Sequence, residues 1–139
     1  MPHIVNRRLE ILFDLARQQA ECIVTCTLIF TKQESQQQVS NKLQYEMKCQ
    51  LFGASSGWNG RDKLLHTYKV EDLSNGTSLQ FVNLTFDEVI PTSQLTKNSS
   101  KDEIYGLLTL TNPAIEPRKL KKQTNPVEII RNSELFSNY

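Results

Sequence analysis

The stretch NKLQYEMKCQLFG, residues 41–53, constrains the fold more than any other part of the chain. Leu43, Tyr45, Met47, Cys49 and Leu51 alternate with Gln44, Glu46, Lys48 and Gln50. Successive side chains of an extended chain point to opposite faces, so a period of two predicts a strand with one buried and one wet face.

Other runs share this character. ECIVTCTLIFT (21–31) is rich in β-branched residues and reads as a largely buried strand, with Cys22, Val24, Cys26, Leu28 and Phe30 on one face. KLLHTYKVEDL (63–73) is a third strand, joined to the strand over 41–53 by the glycine-rich GASSGWNGRDK, which implies an antiparallel pair. Asn75-Gly76 suits a type I′ turn, because both central residues need positive φ. A tight hairpin is therefore expected between 63–73 and TSLQFVNLTFDEVI, which Pro91 ends. EIYGLLTLTN (103–112) is a fifth strand, its Gly106 marking a bulge or a close backbone approach. The polar stretches TKQESQQQVS and PTSQLTKNSSKD read as loops.

The two ends differ from this middle. Val5, Leu9, Leu12, Phe13 and Ala16 recur at helical spacing, widened by Ile4, Ile11 and Leu15, and Asn6 can cap the start. A helix is expected over 4–19. After residue 112, prolines 113, 117 and 126 favour extended chain, yet Val127, Ile129, Ile130, Leu135 and Phe136 are too apolar for a solvated linker. Either this end folds back over its own core, or it is an arm that docks on a neighbour. The expected fold is all-β: an antiparallel β-sandwich, or partly open barrel, of five or more strands. Its parts are an N-terminal helical segment (1–20), the β domain (21–112) and an extended C-terminal arm (113–139).

Composition narrows the function. A chain of 139 residues is the size of one domain, and 16 Lys and Arg against 15 Asp and Glu give no global pull towards nucleic acid or anionic membrane. No apolar run nears the roughly 20 residues that span a bilayer. Charges interrupt MPHIVNRRLEILFDLARQQ, so no signal peptide is read, and the expected location is the cytoplasm or an assembled particle. Without a signal peptide, the three N-x-[ST] triplets beginning at Asn75, Asn83 and Asn98 read as background. Three cysteines make a poor disulfide framework and fit a reducing compartment.

No catalytic constellation stands out. The histidines are His3 and His66 alone, too few to complete a zinc site with the cysteines, and His66 shares a pleat face with Leu64 and Tyr68. A thiol enzyme using Cys49 and His66 requires their strands to bring both to one face. Asp87/Glu88 and Asp102/Glu103 are adjacent, so in strands they diverge. The 53–63 loop lacks the spacing of a phosphate-binding loop, and no cofactor is implied. The basic cluster of Arg118, Lys119, Lys121 and Lys122 has no interleaved aromatics and fits a protein surface better than nucleic acid.

Two features remain. Trp58, with Asn59 and Arg61 beside it, either caps one end of the core or presents an aromatic platform to a ligand or partner. The termini offer contact residues in the basic cluster and in Ile129, Ile130, Leu135 and Phe136. The expectation is a non-enzymatic structural subunit that contacts other proteins, copies of itself first, through its arms. By analogy at the level of fold, that suits a repetitive assembly such as a phage particle. The alternative is a module binding carbohydrate or a small apolar ligand through the Trp58 loop.

Overall fold

The alternation seen in the sequence carries directly into strands. The computed structural model describes residues 2–32, 45–54, 62–73, 81–95, 101–112 and 116–130. Its elements are β1 (His3–Asp14), β2 (Gln19–Ile29), β3 (Glu46–Ala54), β4 (Lys63–Thr67), β5 (Glu71–Asp72), β6 (Phe81–Pro91), the short helix α1 (Thr92–Leu95), β7 (Lys101–Asn112), β8 (Glu116–Gln123) and β9 (Val127–Ile130). They form two antiparallel sheets, one ordered β1-β2-β6 and a six-stranded one ordered β4-β3-β7-β8, with β5 also on β3 and β9 also on β7. The chain is all-β in class.

One apolar cluster draws on both sheets. β2 gives it Cys22, Val24, Cys26 and Leu28, β3 gives Met47, Cys49 and Leu51, and β7 gives Ile104, Leu108 and Leu110, all buried. Val24 reaches the backbone of Gly106 on the other sheet closely enough that a Cβ there would lie 3.3 Å from its Cγ2. Here the glycine marks a close approach, one of the two roles expected of it.

Residues 3–14 correct the sequence reading. They form β1, paired with β2 from His3↔Ile29 to Asp14↔Gln19, and not a helix. The physical reason is a bulge. One extra residue lies between Val5 and Arg8, where Asn6 takes a positive φ of 53° that asparagine tolerates. The insertion reverses the parity of the strand, so Ile4 before it and Leu9, Ile11 and Phe13 after it all face the core. An alternation broken in this way imitates a helical stripe, and exposed Leu12 completes the imitation. The stretch ends in a four-residue turn, in which the Gln18 N–H donates to the Leu15 carbonyl at 3.3 Å.

Two further expectations change. The run over 63–73 divides into β4 and β5, both antiparallel to β3. β6 pairs with β2 along its whole length, so no tight hairpin joins 63–73 to β6; the Asn75-Gly76 turn lies outside the described residues. An Asn-Gly pair favours local chain reversal but does not dictate which strand the chain joins afterwards.

Residues 116–130 are not a free arm. β8 and β9 run in succession along β7 of the same chain, interrupted at residues 124–126. At that interruption the Thr124 N–H donates to the Gly106 carbonyl at 2.9 Å, and the Gly106 N–H donates to Thr124 Oγ1 at 2.8 Å. The next residue ties the two sheets together. Asn125 Oδ1 accepts the Leu9 N–H at 2.8 Å and Asn125 Nδ2 donates to the Leu9 carbonyl at 3.2 Å. A side-chain amide thus pairs with β1 as a strand backbone would.

Candidate functional site

A polar cluster sits where the edges of the two sheets meet. Leu51 pairs with His66 and Phe52 with Leu64, so Leu65 is an extra residue in β4. The bulge turns His66 inward while Leu64 stays outward, 49% exposed. The single pleat face expected for Leu64, His66 and Tyr68 is therefore broken between the first two. His66 Nε2 meets Glu88 Oε2 of β6 in a part-buried pair. The Tyr68 ring stands edge-on to His66 at 5.0 Å and to Phe86 at 5.8 Å, and its hydroxyl donates to the Cys22 carbonyl at 2.8 Å. Beside them lies an open hollow of about 140 Å³ lined by Tyr68, Lys69, Glu71 and Thr85 to Glu88. Nothing in the sequence links His66 to Glu88; only the packing of β4 against β6 does.

Cys49 lies next to this cluster, since the Tyr68 N–H donates to its carbonyl at 3.0 Å. Burial pushes the Cys49 thiol well above its ordinary range, with Cys26 and Glu88 adding to the effect. Burial likewise lifts Cys26 to about 11, and burial with the charges of Asp87 and Glu21 lifts Cys22 to about 12. A nucleophilic cysteine needs the opposite shift. Among the described residues no three His, Cys, Asp or Glu side chains gather as a metal site requires.

Trp58, Asn59 and Arg61 lie outside the described residues, but both feet of their loop are placed. Phe52, at one foot, stacks on Tyr105 with ring centroids 5.8 Å apart. The Tyr105 hydroxyl donates to Asp62 at the other foot. Burial and that bond raise the phenol to about 12. Leu64 sits opposite Phe52 on the far side, which extends a short apolar row across the outer face of the six-stranded sheet.

The residues expected on a C-terminal arm are dispersed. Lys119, Lys121 and Lys122 are exposed on β8, an edge strand. Lysines along an edge discourage another strand from pairing there. Arg118 also belongs to β8, and Ile129 and Ile130 to β9, but their side chains, like all of Leu135 and Phe136, lie outside the described residues.

Sequence reasoning missed the outer face of the three-stranded sheet. Leu12, Glu21 and Val89 form one row across β1, β2 and β6; Glu10, Ile23 and Asp87 form the next; Arg8, Thr25 and Thr85 the one after. Thr27 then donates to Asn83 Oδ1 at 2.8 Å, and Phe81, the first residue of β6, pairs with Ile29 in the last row. Leu12, Val89 and Phe81 are 47%, 60% and 61% exposed. Between the first two, Glu21 carries a raised pKa, because Asp87 hydrogen-bonds to it and adds negative charge, as Glu10 does more weakly. The available signal was the buried set of β2. Once it is fixed, Glu21, Ile23, Thr25, Thr27 and Ile29 must face outward.

Among the described residues no helix is long and apolar enough to cross a membrane. No family model matches the chain, and no curated protein matches it in sequence. Solved structures with a related outline include the solution structure of AT1g01470 from Arabidopsis thaliana, 12% identical, with a TM-score of 0.49 over 93% of this chain and 80% of that one. Another is the crystal structure of a Bordetella pertussis protein given the name ApaA, 9% identical, with a TM-score of 0.36 over 94% of this chain and 91% of that one. Neither likeness bears on what the chain does.

Proposed function

We propose that this chain is a non-enzymatic structural module, a small β-sandwich whose work is to contact other proteins, copies of itself first, in a repetitive assembly. The observation that carries this reading is the exposure of Leu12, Val89 and Phe81 on one sheet face. Leu12 and Val89 flank Glu21 at one end of this face and Phe81 stands at the other end, so the face offers apolar contact points at both ends to a partner that covers it. The contacts run through sheet surfaces and edges, since residues 3–14 and 116–130 are built into the sheets. Thiols held protonated by burial support a role without nucleophilic chemistry, and three free cysteines suit a reducing compartment. Sedimentation of the purified chain across a wide concentration range tests the reading. A sedimentation coefficient that rises with concentration is expected; a monomer throughout overturns it.

The foot of the 53–63 loop favours a second reading, a module that takes a carbohydrate or a small apolar ligand. The Phe52–Tyr105 stack and Leu64 form an apolar row directly beside the loop that carries Trp58. Trp58 is the chain's one tryptophan, so its fluorescence reports this loop alone. A saturable spectral shift on titration with soluble oligosaccharides is expected, and an unchanged spectrum across the panel removes this reading.

A further inference from the structure

The edges of the two sheets are protected unequally. β1 carries a bulge, exposed Arg7 and Arg8, and an Asn125 side chain that occupies both backbone groups of Leu9. β4 has five residues and a bulge, and its Leu65 carbonyl accepts from Gln94 Nε2. β8 carries exposed lysines. β6 is different. It is 11 residues long and pairs with β2 without a single register shift. Among the described residues no strand lies on its other side. A long, regular edge strand with apolar side chains is a template for another strand.

We propose that β6 pairs antiparallel with β6 of a second copy about a two-fold axis through Thr85, joining two three-stranded sheets into one. Register selects this axis. Such pairing with the outer faces aligned sets Phe81 opposite Val89 of the second copy and Asn83 opposite Asp87. The two most exposed large apolar side chains among the described residues, at 61% and 60%, then cover each other. Aromatic and β-branched residues make favourable cross-strand pairs. Asn83 accepts from Thr27 through Oδ1, so its amide nitrogen is the group that would donate to the Asp87 carboxylate of the second copy. Neighbouring registers lose this match. An axis through Leu84 sets Phe81 against Asp87, one through Phe86 sets Val89 against Asn83, and one through Asp87 sets two carboxylates face to face. The contact is isologous, so it closes at two subunits, and the remaining faces are left for higher assembly.

This inference rests on the assembly reading above and specifies its first step. Phe81→Glu and Val89→Lys are the test, because both positions are largely exposed and a lysine at 89 faces Glu21 of the same monomer without adding a like charge. Each alone should raise the dimer dissociation constant about tenfold or more, since each pair occurs twice in the dimer. The double variant should recover most of the loss, because the introduced ammonium faces the introduced carboxylate across the axis. Thr85→Cys gives an independent measurement. Under mild oxidation it should form a disulfide-linked dimer, whereas Lys121→Cys on the protected edge should not. Thermal melts confirm that each variant is folded. A wild-type chain that never self-associates overturns both the assembly reading and the β6 pairing. A wild-type dimer indifferent to both single substitutions, and not cross-linked through position 85, overturns only the pairing.

Discussion

The reactivity of a thiol follows from its surroundings, and Cys22, Cys26 and Cys49 all lie in the core between two sheets. An ordinary thiol ionises near 9, and these side chains are lifted to about 12 for Cys22, to about 11 for Cys26, and upward for Cys49. Burial is the largest cause at each, since a thiolate there would lose its hydration. The folded state therefore keeps these protons to a higher pH than the unfolded chain does. Their contribution to stability is complete below about pH 9 and declines as pH rises from there through the folded values. Urea midpoints should be flat around neutrality and fall steadily between roughly pH 9 and 11. At about pH 8 a thiol reagent should label none of the three in the native protein and all three after denaturation. Rapid labelling of even one in the native state would mean that the sheets open there.

Among the elements, the contact between Asn125 and β1 carries the most information per residue. One side chain accepts from the Leu9 N–H and donates to its carbonyl, on an edge that has no strand beside it among the described residues. Asn125→Ala removes both bonds, and the cost should be about 1–3 kcal/mol, read as a lowered urea midpoint at unchanged m-value. Asn125→Asp keeps the acceptor and loses the donor, so it should fall between the two. A midpoint unchanged by Asn125→Ala would show that water replaces the amide without loss. This contact also shows where sequence reading ran out. β2 and β3 were legible because their alternation is unbroken and each has a neighbour on both sides. β1 was not, because one inserted residue reverses its parity and turns a period of two into an apparent stripe. The path of residues 116–130 could be read either way, since prolines and lysines suit an edge strand as well as a linker. The pairing of His66 with Glu88 and the exposed face of Leu12 and Val89 depend on which strands become neighbours. Composition says nothing about that choice.

At the scale of the whole molecule, the C-terminal segment decides between a closed module and a body with arms. β7 is central in its sheet, with β3 on one side and β8 followed by β9 on the other. Its Ile104, Leu108 and Leu110 are fully buried, and Leu120 of β8 and Val127 of β9 pack against the same core. Deleting residues 113–139 would turn β7 into an edge, strip one side of its backbone of partners along most of its length and uncover that apolar row. It would also remove Thr124 and Asn125, which hold Gly106 and Leu9. Each backbone bond lost is worth on the order of 1 kcal/mol, and a domain has about 5–15 kcal/mol in all, so the loss is comparable with the whole stability. The shortened chain should therefore show no cooperative thermal transition and should expose apolar surface to a dye such as ANS. If it instead melts cooperatively within a few degrees of the full chain, residues 116–130 contribute little to the monomer. Their contacts would then be exchangeable between copies, and an assembly held by arms would become the better account of the molecule.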